Sequence, residues 1–181
     1  MKFIHNDISS IYLRKNNKTL FETFEHNKKY LRLKLEFGDK YTDYNKSNLG
    51  DFLKEIKELN DNNYSKFLNK YGDEIFCEFK ISDNLKDKGI YCYVDGDIIK
   101  YVGRCTDNFK KRINQGYGKI YPKNPFIDGQ ATNCRVNALI NSNKNVKFGV
   151  YLMTDKTTEE IKALEKQILT LQRFEWNIKT S

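Results

Sequence analysis

The sequence has few of the side chains that bind zinc or form redox pairs. It holds only two histidines, His5 and His26, and four scattered cysteines. No two cysteines stand at the two-residue spacing of a zinc knuckle or a redox motif, which excludes both kinds of site. A histidine-rich metal site is excluded from the second half of the chain, because both histidines lie in the first half. The cysteines are expected to be reduced thiols of a cytosolic protein, several of them filling the core.

Long apolar runs are also missing. No stretch approaches the length of a membrane span, and charges interrupt the first ten residues, so neither a transmembrane helix nor a signal peptide is expected. The chain is therefore expected to be cytoplasmic, without a membrane partner. Its 181 residues suffice for one domain or two small ones.

Positive charge and aromatic residues are abundant. Lys and Arg number 32 against 24 Asp and Glu, a formal net charge of +8, and aromatic residues make up 14% of the chain. An excess of positive charge favours a polyanionic partner, of which nucleic acid is the commonest. The alternative is that an AT-rich genome encodes many lysines, so charge alone does not decide between them.

The most informative pattern runs from Gly89 to Arg112. Residues 90–94 alternate as a strand with one buried face does, Asp95-Gly96-Asp97 has turn chemistry, and residues 98–102 resume as a second strand. Asp107-Asn108 is a capping signal for a following helix that carries Arg112. The sequence therefore predicts a β-hairpin followed by a basic helix.

The loop length decides which residues face each other across this hairpin. A three-residue loop, Asp95 to Asp97, places Tyr91 opposite Tyr101, so that both rings project from one sheet face. A two-residue loop, Asp95-Gly96, would pair Tyr91 with Lys100 and turn Tyr101 to the other face. We predict the three-residue register.

The last predicted helix begins after Thr157, with Glu160 completing a capping box. On a helical wheel Glu165 lies at the rim of the apolar stripe, beside Ile161 and Ile168. Such a carboxylate is half desolvated and geometrically fixed, as a metal ligand should be. The alternative is an ordinary rim glutamate of an amphipathic helix.

These elements together resemble the GIY-YIG nuclease superfamily. Gly89-Ile90-Tyr91 opens the first strand, Tyr101-Val102-Gly103 closes the second, and an arginine follows on the next helix. Glu165 lies on a late helix with Asn177 shortly after it, as in that family. The resemblance covers about residues 88–181.

The resemblance implies an α+β fold: a small, mostly antiparallel three-stranded sheet flanked by helices over residues 86–181, with an N-terminal α/β extension over residues 1–85. It implies a DNA endonuclease that hydrolyses phosphodiester bonds with Mg²⁺ or Mn²⁺ held by Glu165. The type II restriction branch is favoured, acting on double-stranded DNA as a homodimer, because no separate recognition domain follows Asn177. Alternatives are a homing or repair nuclease of the same superfamily, or a non-catalytic nucleic-acid-binding module on a nuclease fold.

The resemblance also implies roles for side chains. Arg112 occupies the position of the catalytic arginine, and a guanidinium gives planar, bidentate phosphate contact; Arg104, Lys110 and Lys111 compete for that role. The family often has a histidine one turn further on, and here Tyr117 is its substitute. Tyr91 is then the remaining candidate for the general base, although a phenol needs a nearby cation to lower its pKa. Tyr101 is expected to hydrogen-bond water or phosphate, and Asn177 to support the scaffold.

A polar segment, Gly116 to Asn137, contains two prolines and several glycines, which argues against a continuous regular element. Its side chains are of the types that pair with base edges. With two cations of the core they form the predicted DNA-contact set: Arg104, Lys111, Gln130, Asn133 and Arg135. The alternative is that the amides tie the loop to itself.

Residues 1–85 carry no chemical constellation. A half-buried strand is predicted over residues 30–37, a helix capped by Asn48 or Ser47, a short helix over residues 64–71 and a strand over residues 75–81. This part is interpreted as a recognition subdomain, a dimerisation element or a structural addition.

Overall fold

The computed structural model describes residues 1–5, 9–15, 18–26, 28–143 and 145–178. The fold is α+β and contains a small antiparallel three-stranded sheet with helices, as predicted. The chain divides into two compact units. The first comprises residues 1–6, 76–119 and 136–181, and the second residues 7–75 and 120–135. The predicted boundary between residues 85 and 86 does not coincide with this division.

The first unit contains both sheets. β1 (Lys2–His5) pairs with β2 (Glu78–Lys80), and β3 (Gly89–Asp95) lies between β4 (Ile98–Cys105) and β5 (Lys147–Leu152), all antiparallel. A π-helix, Lys110–Tyr117, follows β4, and α5 (Thr158–Leu171) follows β5. A further helix, α4 (Ala131–Ser142), joins this unit from Val136 onward. α5 matches the predicted last helix, and Thr157 and Glu160 form the predicted capping box.

The predicted hairpin register is wrong, although the predicted shared face is confirmed. Asp95 pairs with Ile98, so the loop has two residues, Gly96 and Asp97, instead of three. Tyr91 lies opposite Gly103, and Tyr101 lies opposite Tyr93. The Tyr91 and Tyr101 rings nevertheless face the same side, with centroids 6.1 Å apart.

A bulge explains how a two-residue loop can keep both tyrosines on one face. The register shifts between Tyr93 and Val94, because Tyr93 pairs with Tyr101 while Val94 pairs with Ile99. Lys100 is the extra residue. A single added residue reverses the facing of everything beyond it, so the bulge cancels the reversal that the two-residue loop introduces.

The two outer glycines of the motif have separate structural reasons. Gly89 has φ +145°, and a Cβ there would lie 2.1 Å from the carbonyl oxygen of Tyr151 on β5. A Cβ at Gly103 would lie 2.6 Å from the Tyr91 hydroxyl. Gly103 therefore provides the space in which the Tyr91 ring is buried.

The two faces of the three-stranded sheet have different cores. Tyr91, Tyr93 and Tyr101 belong to an aromatic core with the π-helix and α4. Ile90 and Val102 point the other way and pack against α5. Strand alternation thus separates the tyrosines from α5.

The segment after α5 covers the free edge of β4. The Trp176 backbone N–H donates to the Lys100 carbonyl at 2.8 Å. The Asn177 side chain accepts from the Val102 backbone N–H at 3.0 Å and donates to its carbonyl at 2.8 Å. These bonds pair edge groups of β4 and so fix the strand that carries Tyr101.

The second unit is helical. It contains α1 (Leu20–Glu25), α2 (Leu31–Phe37) and α3 (Leu49–Glu58), with short 3₁₀ turns between them. The helix after Asn48 agrees with the prediction, whereas the strand predicted over residues 30–37 is wrong. Leu33 and Phe37 are buried, while Leu31 and Leu35 are exposed. A spacing of four puts the two buried residues on one helix face, where a strand would have buried all four.

Two smaller predictions are also corrected. The helix predicted over residues 64–71 is a 3₁₀ turn, Tyr64–Phe67, and the strand predicted over residues 75–81 is limited to β2. All four cysteines are free thiols. Among the described residues, no helix is long and apolar enough to cross a membrane.

Candidate active site

Three tyrosine hydroxyls and one guanidinium meet on the aromatic face of the sheet. Tyr91 donates to the Tyr117 hydroxyl at 3.1 Å, and the Tyr101 and Tyr117 hydroxyls are also 3.1 Å apart. Arg112 donates through Nε to Tyr91 at 3.1 Å and through Nη2 to Tyr117 at 2.7 Å. We call these four residues the tyrosine–arginine cluster. The structure thus brings together four of the five residues predicted to be catalytic.

The π-helix is the reason why Arg112 and Tyr117 reach the same place. Residues five apart on an α-helix point about 140° apart, at 100° per residue. A π-helix closes i→i+5 hydrogen bonds, so such residues lie one turn apart on a single face. The Arg112 guanidinium accordingly stacks over the Tyr117 ring, 4.8 Å from its centroid.

A count of donors shows which hydroxyl proton has no acceptor within the cluster. The Tyr117 oxygen accepts from Tyr91 and from Arg112, which uses both of its lone pairs. Its own proton therefore points to Tyr101. The Tyr101 proton remains to be donated elsewhere, and Tyr101 is the most accessible of the three tyrosines, at 7% exposure. Arg112 also keeps an exposed surface. The cluster can thus offer one O–H donor and one guanidinium to an anion.

The pKa of Tyr91 argues against the predicted general-base role. Burial raises the pKa of Tyr91 well above 10, and the Tyr117 and Tyr101 oxygens raise it further. Arg112 lowers this pKa, but by less than the other effects raise it. Burial also raises the pKa of Tyr101. Both phenols keep their protons at neutral pH, so in this site Tyr91 orients Arg112 and Tyr117 rather than accepting a proton.

Two amide side chains, the buried Asn137 and the half-buried Asn114, hold the π-helix in place. The Asn137 side chain accepts from the Cys77 backbone N–H at 2.8 Å and donates to the Tyr117 carbonyl at 2.6 Å. Asn114 pairs with both backbone groups of Ile81, at 2.9 and 3.1 Å. Asn137 ends the polar segment whose side-chain types were expected to pair with base edges, whereas its amide positions Tyr117. This role depends on the position of Asn137 inside α4. The prolines and glycines earlier in the segment argued against a helix there.

Glu165 lies on the other face of the sheet. Its helix, α5, packs against Ile90 and Val102, and its carboxylate is ion-paired with the guanidinium of Arg104. The side chain is 13% exposed, which agrees with a position at the rim of the apolar stripe. Glu165 is therefore held by Arg104 and does not join the hydrogen bonds of the tyrosine–arginine cluster.

Comparison with protein-family models, with curated proteins and with solved structures found no match. The assignment of a function therefore rests on the geometry and on the sequence motifs. The observations that bear on it are the spacing of the two motifs and the position of Arg112.

Glu165 offers the kind of ligand that a magnesium or manganese ion takes. Magnesium prefers oxygen, keeps several waters and often takes only one or two protein carboxylates. Glu165 supplies one carboxylate, with Oε2 engaged by Arg104. The described residues include no group of three or more His, Cys, Asp or Glu that could hold a metal. Glu165 thus fits a largely hydrated ion, provided that Arg104 gives up its contact.

The five predicted DNA-contact residues are already engaged within the protein. Arg104 pairs with Glu165, and Lys111 pairs with Asp107 at 2.8 Å. Gln130 accepts from Asn133 and, at 3.1 Å, from Asn124, so these amides tie the segment to itself. Arg135 lies over the Tyr71 ring, 5.8 Å from its centroid. Asn133 and Arg135 belong to α4 rather than to a loop, and Gln130, Asn133 and Arg135 belong to the second unit.

Proposed function

We propose that this protein is a divalent-metal-dependent DNA endonuclease of the GIY-YIG type. The observation that carries the proposal is the tyrosine–arginine cluster. The two motif tyrosines, Tyr91 and Tyr101, and the arginine of the next helix are joined through Tyr117 by hydrogen bonds of 2.7 to 3.1 Å. The second motif glycine is explained by the same geometry, since Gly103 makes room for Tyr91.

Arg112 is the residue that binds the scissile phosphate. A guanidinium stays charged at every relevant pH and contacts two phosphate oxygens at once. Its hydrogen bonds to Tyr91 and Tyr117 fix the plane of the group before substrate arrives, so little side-chain entropy remains to be lost on binding. Tyr101 donates the proton that has no acceptor within the cluster to a phosphate oxygen or to the attacking water. Tyr91 and Tyr117 are positioning residues.

Glu165 is the residue that would hold the metal ion. A Mg²⁺ or Mn²⁺ ion held there would supply polarisation of a phosphate oxygen and a water of lowered pKa. Arg104 has two roles in this proposal, because it holds Glu165 in the free protein and turns to the phosphate backbone when DNA is bound.

A type II restriction enzyme is the form of the activity that we propose. One centre hydrolyses one strand, so a double-strand cut requires two copies, and we propose a homodimer on double-stranded DNA. Cleavage of a long mixed-sequence DNA into discrete fragments is expected. A continuous smear would instead indicate a nonspecific nuclease.

A second candidate function is favoured by two observations. The Arg104–Glu165 ion pair and the separation of Glu165 from the tyrosine–arginine cluster are also what a non-catalytic nucleic-acid-binding module would show. Such a module needs the basic surface and not the metal.

The two candidates are separated by incubating supercoiled plasmid with the full chain in magnesium and in EDTA. The proposed endonuclease converts the plasmid to nicked or linear DNA in magnesium only. A module that merely binds retards the plasmid on a gel and leaves it supercoiled in both.

A further inference from the structure

The second unit contains a recess with a cationic rim and an aromatic floor. Its volume is about 250 Å³. The rim includes Lys15, Lys18, His26, Tyr121 and Lys123, and buried residues close the bottom. Those buried residues are Thr23, Tyr30, Leu49 and Phe126. All nine side chains belong to one compact unit.

The charges on this rim share one sign. Three of the nine lining residues are lysines, one is histidine, and none of the nine carries a carboxylate. Arg14 adds a fourth permanent positive charge beside the rim, because its guanidinium lies 5.9 Å from the centroid of the Tyr121 ring. A concave surface lined by charges of one sign raises the local concentration of ions of the opposite sign. The recess is therefore suited to an anionic ligand.

The floor is aromatic. Tyr30 and Phe126 pack edge to face, with centroids 5.4 Å apart. Tyr121 stands at the mouth and is 37% exposed. Surfaces that bind single-stranded nucleic acid typically combine aromatic side chains, which stack on the bases, with lysines and arginines, which contact the phosphates.

The size restricts the ligand. Pockets for drug-sized molecules measure about 300 to 1,000 Å³, so this recess is smaller and admits one planar base or one sugar-phosphate. A double helix cannot enter it, since paired and stacked bases are not separately accessible.

We propose that this recess binds one unpaired nucleotide of a polynucleotide, with its base against Tyr121 and its phosphates on Lys15, Lys18 and Lys123. This inference goes beyond the nuclease proposal. It holds whether or not the tyrosine–arginine cluster hydrolyses DNA, because it concerns other residues in the other unit.

The test is binding of the full chain to a fluorescently labelled, single-stranded oligothymidylate in EDTA, followed by anisotropy. The same measurement on an abasic oligomer of equal length separates the base from the phosphates. A stacked base contributes a factor of about five or more in affinity, so the wild type is expected to prefer the oligothymidylate by that factor. Tyr121→Ala should abolish the preference, and Tyr121→Phe should retain it.

The lysines are tested by salt dependence. Lys123→Ala and Lys15→Ala should each weaken binding to both oligomers and reduce the slope of log K against log salt by about 0.7, the value for one phosphate contact on a single strand. Lys46→Ala is the matched control, because Lys46 is an exposed lysine of the same unit that does not line the recess.

Three results would overturn the proposal. Equal affinity of the wild type for the two oligomers would show that the base makes no contact with the protein. A Tyr121→Ala protein that keeps the full preference would place the base elsewhere. If the Lys15→Ala and Lys123→Ala variants bind the oligomers as tightly as Lys46→Ala does, the recess lysines do not contact the phosphates. Thermal melts of each variant establish that it is folded. Because no metal is present, none of these readings depends on cleavage, and a failure here leaves the nuclease proposal standing.

Discussion

Arg104 and Glu165 form an ion pair on the sheet face that α5 covers, away from the hydroxyls of the tyrosine–arginine cluster. The pair joins the residue expected to hold a metal to a residue expected to bind DNA. A guanidinium against a carboxylate repels a second cation from the same carboxylate. Metal and DNA should therefore assist each other, because DNA that draws Arg104 away frees Glu165.

The first prediction concerns this competition. Arg104→Gln should raise the affinity of the free protein for Mn²⁺ several-fold, since the cation that opposes it has gone. Titration calorimetry with the metal alone measures this without any cleavage. Lys166→Gln is the control, because it removes one positive charge from an exposed position next to Glu165 in sequence. Equal Mn²⁺ affinity in the wild type and in Arg104→Gln would contradict the competition.

The second prediction concerns Glu165 itself. Glu165→Gln keeps the shape and removes the charge, so nicking of plasmid in magnesium should fall by orders of magnitude. DNA affinity should persist or increase, because a negative charge has gone and Arg104 is released. If the glutamate were an ordinary rim residue, cleavage would stay near the wild-type rate and only stability would change slightly.

The third prediction concerns Gly103. An added Cβ would lie 2.6 Å from the Tyr91 hydroxyl, so Gly103→Ala should destabilise the fold by about 1–3 kcal/mol and displace the ring. Gly96→Ala is the matched control: its φ is +58°, which costs about 1–2 kcal/mol, but nothing lies within 4 Å of the new atom. Urea unfolding should show both costs, while plasmid nicking should fall only in Gly103→Ala. Equal nicking by the two variants would remove Tyr91 from the site.

The fourth prediction concerns alkaline pH. Burial raises the pKa of Tyr12 to about 12, and burial also raises the pKa values of Tyr91 and Tyr101 above the ordinary value of 10.0. Above pH 10 the unfolded chain has lost phenolic protons that the folded chain keeps, so the folded state binds more protons and its stability falls as pH rises. Urea unfolding should show that the contribution of these tyrosines to the free energy of unfolding is constant below about pH 9. That contribution should fall steeply from pH 10 to 12. A flat profile across that window would mean that these phenols are accessible to solvent.

Much of the sheet could be predicted from sequence because its signals are local. Alternation from Ile90 to Val94, the Asp-Gly-Asp turn and the Thr157–Glu160 capping box each depend on neighbouring residues. The bulge at Lys100 could not be predicted in this way. It is fixed by tertiary bonds, since the Lys100 carbonyl accepts from Trp176 and its ammonium pairs with Glu175 at 2.5 Å.

Over residues 31–37 the sequence pattern is compatible with both a strand and a helix. Residues 31–37 alternate apolar and charged side chains like a strand, yet they form α2, because only Leu33 and Phe37 find a core to enter. In the candidate site, the motifs predicted Tyr91, Tyr101 and Arg112. The roles of Asn114 and Asn137 were not predictable, because their partners lie 20 to 60 residues away.

Arg112 and the hydroxyls around it form the hydrolytic centre of the proposed nuclease. The most direct measurement is the rate of plasmid nicking in magnesium for the wild type, Arg112→Ala and Lys110→Ala. Lys110 is an exposed cation on the same π-helix, so the two variants remove the same charge from neighbouring positions. We predict that Arg112→Ala loses nicking by orders of magnitude and binds DNA less tightly at low salt, while Lys110→Ala cleaves nearly as fast as the wild type. Equal rates in the two variants, or no magnesium-dependent nicking by the wild type, would contradict this assignment.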